Sequence, residues 1–150
     1  MNILTIDFET YYSQAYSLSK LTTEEYVRDD RFEVIGVAVQ ENCAEPEWFS
    51  GTHDEIKKWL GQFSWDNSLV LAHNTMFDSA ILSWVFGIKP MGWLDTLCMA
   101  RATDGLEVGN SLAKLADRYG IGQKGTEVLN ALGKRRADFT KQELAKYGEY

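Results

Sequence analysis

At 150 residues, with 45% hydrophobic and 25% charged side chains, the chain has the size and composition of one globular domain with its own core. Its formal net charge of −7 argues against a protein that holds nucleic acid on a broad basic surface, though not against one that grips it at one end through metal ions. Cys43 and Cys98 are too few and too far apart for a disulfide framework or a zinc site, no basic segment followed by an apolar stretch opens the chain, and no apolar run reaches membrane-spanning length; a reduced, cytoplasmic setting without a membrane partner is expected.

The first apolar run, Ile3-Leu4-Thr5-Ile6, predicts a strand over residues 3–8. Residues 11–30 are polar and aromatic, with Thr22 or Thr23 placed to start a short helix at 24–27. Residues 32–40 are β-branched and apolar and read as a second strand; residues 45–49 read as a short third one, put at an edge by Pro46. Thr52-His53-Asp54-Glu55 is a capping box, and Ile56, Trp59, Leu60 and Phe63 follow at helical spacing. Residues 68–73 read as strand four. Residues 75–86 carry Phe77, Ile81, Leu82 and Val85 in an amphipathic helical pattern closed by Gly87, with Asn74 or Thr75 as its cap. Trp93-Leu94 is a brief strand ending at Asp95-Thr96, which caps a helix through Arg101; Ser111 opens a further helix stopped by Gly120. Residues 120–133 are glycine-dotted and loop-like. Thr140-Lys141-Gln142-Glu143 is another capping box, launching a helix with no stop signal before Tyr150. Strands followed by alternating helices and strands make one α/β domain.

Asp7-Phe8-Glu9-Thr10 closes the first strand. Alternate side chains of a strand share a face, so Asp7 and Glu9 point the same way, about 7 Å apart. Carboxylates so placed repel unless something positive lies between them, and hard oxygen ligands suit Mg²⁺ or Mn²⁺. His73-Asn74-Thr75-Met76-Phe77-Asp78 lies where strand four hands over to a helix, at the carboxyl end of the sheet where chemistry gathers. If strands one and four are neighbours, Asp78 approaches Asp7 and Glu9, and three carboxylates then suffice to hold two ions. Such a pair, about 3.5–4 Å apart, activates water and stabilises the leaving oxygen of a phosphodiester.

These residues resemble the DEDD superfamily of 3′–5′ exonucleases, and in particular the proofreading domain of phage DNA polymerases related to family A. Asp7-Phe8-Glu9 matches the first motif, D-x-E, and Asn74-Thr75-Met76-Phe77-Asp78 matches the second, N-x-x-[FY]-D. Asp95-Thr96, Ala100-Arg101 and Ser111-Leu112-Ala113-Lys114-Leu115 resemble the stretch before the third motif. The resemblance implies a ribonuclease H-like fold, a mixed five-stranded sheet flanked by helices. It implies two ions, Mg²⁺ or Mn²⁺, with Asp7 bridging both, Glu9 on the tighter and Asp78 on the looser. It implies release of nucleoside 5′-monophosphates from single-stranded or frayed DNA 3′ ends, in a polypeptide that also carries a DNA polymerase domain, in a phage-infected bacterial host. Thr10, Asn74 and Phe77 are then expected at the terminal nucleotides, Phe77 by stacking. The third motif, Y-x-x-x-D or H-x-x-x-x-D, is matched in its tyrosine alone: Tyr150 is well placed for it, and in the family that tyrosine orients the attacking water, but the aspartate would fall four residues on, beyond residue 150, and Tyr147 lacks its aspartate in the same way. Residues 1–150 are therefore expected to be an exonuclease domain cut within its third-motif helix, with impaired activity.

Plainer roles stand beside these. Asp7 and Glu9 taken alone are equally compatible with solvated charges, and Asp78 with a helix cap. Asn74 reads equally as an N-cap, Thr10 as a strand end, Phe77 as core and Tyr150 as an ordinary helix tyrosine. His73 reads as a packed strand residue, His53 as surface, and the Trp residues as core rather than stacking platforms. Lys134-Arg135-Arg136, with Lys124 and Lys141, reads as a solvated face or as a phosphate-tracking patch. Two rival functions remain: an exoribonuclease of the same fold, and a non-catalytic module that binds nucleic acid or a polymerase.

Overall fold

The computed structural model describes residues 1–122 and 131–148 of the chain. Five strands, β1 (Asn2–Thr10), β2 (Val34–Glu41), β3 (Glu47–Phe49), β4 (Ser68–Ala72) and β5 (Gly92–Asp95), form one sheet in the order β3-β2-β1-β4-β5. β1 runs antiparallel to β2 and parallel to β4; the outer pairs, β2–β3 and β4–β5, are antiparallel and parallel respectively. This is the mixed sheet the sequence implied, and the expected adjacency of strands one and four is present. β1 runs past residue 8 because Glu9 pairs with Gly36 and Thr10 with Val34, across a register shift. β3 is an edge strand that starts after Pro46, which has no amide hydrogen to give a ladder.

One face of β1 buries Leu4, Ile6 and Phe8. They form the main core with side chains of α1 (Thr23–Arg28), α2 (His53–Leu60) and α3 (Thr75–Ala80), among them Tyr26, Ile56, Leu60 and Ala80. The opposite face carries Thr5, Asp7 and Glu9. Pairing puts Asp7, Ala38 and Trp48 in one row on that face. There α6 (Lys141–Gly148) packs on β2 and β3, and Ile35, Ala131 and Tyr147 make a second small core. Trp48 sits between two glycines. A Cβ on Gly36 would lie 2.4 Å from the indole, and one on Gly148 2.1 Å. The ring thus fills space that only a residue without a side chain leaves open.

Local signals account for most helix starts. Thr22 with Glu25, Thr52 with Glu55 and Thr140 with Glu143 each exchange capping hydrogen bonds. Asp95 caps α4 (Thr96–Asp104), and Ser111 caps α5 (Leu112–Tyr119), which stops at Gly120 in the left-handed conformation, φ 63°. The helix expected over 75–86 is not uniform. It is α-helical to Ala80 and then π-helical over Ile81–Val85, with Phe86 N–H bonded to Ile81 O. The wider turn brings Ile81, Leu82 and Phe86 all into the core. The expected continuation of the last helix to Tyr150 and part of the glycine-dotted loop lie outside the described residues.

Candidate active site

β4 ends at Ala72, so β1 beyond Thr5 has no strand on that side. α3 follows β4 after a short turn, and Asp78 fills the gap: its Oδ1 accepts the Phe8 N–H at 3.0 Å. Phe8 is the middle residue of Asp7-Phe8-Glu9, so the two motifs, 70 positions apart, are joined by one hydrogen bond at the strand tip. Asp78 is only 4% exposed. Burial, and next the charge of Asp7, push its carboxyl well above the usual range, against the lowering effect of the Phe8 amide; Glu9 adds a further upward push. The structure therefore brings Asp7, Glu9 and Asp78 into one electrostatic cluster.

The turn into α3 is built differently from the expectation. Asn74 adopts a left-handed conformation, φ 69°, and its side chain makes no cap. The Thr75 hydroxyl turns away from the helix, toward the carbonyls of Ala72 at 3.0 Å and Leu94 at 2.5 Å. Asn74 occupies the N-cap position, its carbonyl accepting the Phe77 N–H at 3.0 Å, but neither its side chain nor that of Thr75 caps α3, which corrects the expectation of a side-chain cap. Asp95 holds the turn instead, accepting the Asn74 N–H at 3.1 Å while it caps α4. His73 lies just past β4, with Nδ1 2.9 Å from Thr96 Oγ1. A cavity of about 310 Å³ opens beside Asp7, lined by Thr5, Leu71, His73, Thr96 and Leu112 among others.

The expected nucleotide contacts divide. Asn74 is exposed just before α3, and Phe77 is half-buried on its first turn, next to Asp78. The Thr10 side chain is buried and bonded to the Tyr26 hydroxyl at 2.9 Å, so any contact Thr10 makes with substrate runs through its backbone. Tyr150 lies outside the described residues, as does Lys124. Of the basic cluster, Arg135 pairs with Glu33 at 2.7 Å and lies 4.1 Å over the Tyr11 ring, while Lys134 pairs with Glu143. These groups tie the segment before α6 to the exit of β1. His53, expected at the surface, is half-buried: its Nε2 accepts the Val34 N–H at 3.1 Å, and its ring packs edge-on against Phe86. The expectation that the Trp residues are core holds for Trp65. Trp84 and Trp93 are exposed and line a groove with Met76, and Arg28 lies 4.8 Å over the Trp84 ring. Tyr26 and Asp95 are the residues the sequence reading missed as neighbours of the site. A capping aspartate was legible at position 95, but its second bond, to Asn74, was not.

Among the described residues, no group of three His, Cys, Asp or Glu side chains is arranged to hold a metal ion. The donor chemistry suits a hard dication all the same. It is all carboxylate oxygen, and it includes a buried acid held beside two others of like charge.

No protein-family profile matches the chain, and no curated protein matches it in sequence. Among solved structures it is similar to Brucella melitensis NrnC, with a TM-score of 0.68 at 13% identity over 98% of this chain and 65% of that one. NrnC structures bound to pGG and with bound Mg²⁺ match over the same shares, each with a TM-score of 0.61, at 12% and 14% identity. A family B DNA polymerase from the hyperthermophilic archaeon Pyrobaculum calidifontis matches at 0.51 and 16% identity, over 82% of this chain and 19% of that one. The likeness is one of fold: the chain has a ribonuclease H-like fold, a mixed five-stranded sheet flanked by helices. It spans 65% of the length of the NrnC chain it matches. None of the helices of the described residues is long and apolar enough to cross a membrane.

Proposed function

We propose that this chain is a 3′–5′ exonuclease domain that hydrolyses the terminal phosphodiester of single-stranded or frayed DNA. The observation that carries the reading is the bond from the Phe8 amide to Asp78, which sets a buried carboxyl at the strand tip that bears Asp7 and Glu9. Asp7, Glu9 and Asp78 would hold Mg²⁺ or Mn²⁺, and the NrnC structure with bound Mg²⁺ supports a divalent cofactor. Ions bound there supply charge neutralisation for the phosphodiester and activation of water. The start of α3 does the positioning. Asn74 offers an exposed amide to the terminal nucleotides, and Phe77 offers a ring edge. Tyr150 is proposed to orient the attacking water. The likeness to a DNA polymerase is compatible with a proofreading role beside a polymerase domain; the phage setting rests on the sequence resemblance alone.

The test is degradation of 5′-labelled single-stranded DNA with Mg²⁺ or Mn²⁺, comparing this chain, a longer parent chain and Asp7→Ala in each. Stepwise shortening from the 3′ end that Asp7→Ala abolishes supports the reading; undiminished cleavage by Asp7→Ala overturns it. The NrnC structure bound to pGG favours a second reading, an exoribonuclease acting on short RNA. A matched RNA oligonucleotide in the same assay separates the two.

A further inference from the structure

The two carboxylate-bearing elements share a support that the sequence motifs do not include. Tyr26 on α1 is 2% exposed. Its hydroxyl donates to the Tyr11 carbonyl and stands 2.9 Å from Thr10 Oγ1. With its single proton so used, Tyr26 accepts from the Thr10 hydroxyl. Both contacts fall immediately after Glu9, where β1 shifts register against β2 and its backbone needs outside support. The same ring lies 6.0 Å from Phe77, the residue before Asp78 on α3. Tyr16 backs it, stacked at 4.4 Å and donating to the Tyr26 carbonyl at 2.6 Å.

We infer that the Tyr26 hydroxyl is a positioning group for the carboxylate cluster, fixing the strand end that carries Glu9 relative to the helix that carries Asp78. The inference rests on the carboxylate reading proposed above. Groups that orient ligands from behind matter because a small displacement of one oxygen opens a site that demands fixed geometry.

The test is calorimetric titration of Mn²⁺ into wild type, Tyr26→Phe, Tyr16→Phe and Asp7→Ala, with thermal unfolding of each. Tyr26→Phe keeps the packed ring and loses only the hydroxyl. It is expected to weaken Mn²⁺ binding roughly tenfold and, wherever cleavage is measurable, to lower kcat while KM for the oligonucleotide stays unchanged. Tyr16→Phe loosens the same aromatic stack without touching that hydroxyl, and is expected to lower the unfolding temperature while keeping Mn²⁺ affinity. Thr10→Val, which removes the hydroxyl bonded to Tyr26, is expected to weaken binding in the same direction and serves if Tyr26→Phe does not fold. Wild-type affinity in Tyr26→Phe, alongside binding lost in Asp7→Ala, overturns the inference alone. Equal weakening by Tyr16→Phe and Tyr26→Phe also overturns it, because the stack would then be only structural. Identical titrations for wild type and Asp7→Ala overturn the carboxylate reading and the inference with it.

Discussion

A carboxyl buried beside two others is costly to ionise, and Asp78 is the residue where that cost shows. Its folded-state pKa is raised above the ordinary value of 3.8, chiefly by burial and then by Asp7. The stability it contributes is therefore full below that value and is lost as pH rises through the raised one. Asn at this position keeps a carbonyl for the Phe8 amide and has no proton to lose. In chelator, the stability of wild type relative to Asp78→Asn should fall from pH 4 to pH 8, as read by urea denaturation at each pH; parallel curves would contradict it. Asp7→Ala removes the largest like charge near Asp78. It should leave the metal-free protein as stable as wild type or more so at pH 8, while removing divalent-dependent cleavage in any form of the protein that has it. A marked drop in its unfolding temperature would assign Asp7 a structural role instead.

Strands and helices differed in how openly the sequence declared them. The capping boxes at Thr52 and Thr140 were legible because both partners lie within four residues of each other, whereas at the first helix the sequence left Thr22 and Thr23 open as its start and the structure selects Thr22, paired with Glu25. Asp7 and Glu9 were legible as a same-face pair because strand periodicity is local. The π turn over Ile81–Val85 was not, since Phe77, Ile81, Leu82 and Val85 fit an ordinary helix equally well and only tertiary packing selects the wider turn. His53 and Tyr26 were missed for a similar reason: each bonds to backbone or hydroxyl groups 15 to 19 positions away, where no short pattern reaches. The docking of α6 gives a direct test at this scale. Ala at Gly36 would drive a methyl into the Trp48 ring, and such overpacking costs about 1–3 kcal/mol. Gly36→Ala should lower the urea midpoint accordingly, and Trp48→Leu in the same chain should restore part of the loss. Additive losses in the double variant would exclude direct packing between the two positions.

Taken whole, the molecule is poorly equipped to attract a polyanion at long range. Its net charge is −7, and Arg28, Arg31, Arg118, Lys134 and Arg135 are each paired with a carboxylate. Binding to single-stranded DNA should therefore depend weakly on salt, with a log–log slope no steeper than about −2, the release expected from about three phosphates. A slope of −4 or beyond, measured by fluorescence anisotropy, would require a basic track outside these pairs. Cysteine chemistry gives a second check, since Cys43 and Cys98 are both free and exposed. The native protein should react with two equivalents of a thiol reagent and keep its unfolding temperature. The fold itself is shared with NrnC at 13% identity. The anchor between Phe8 and Asp78 suits such drift, because its donor belongs to the main chain and not to any side chain. Nineteen amino acids can supply that hydrogen and proline alone cannot, so the limit on the central letter of the first motif is set by the core that buries Phe8 and not by this bond.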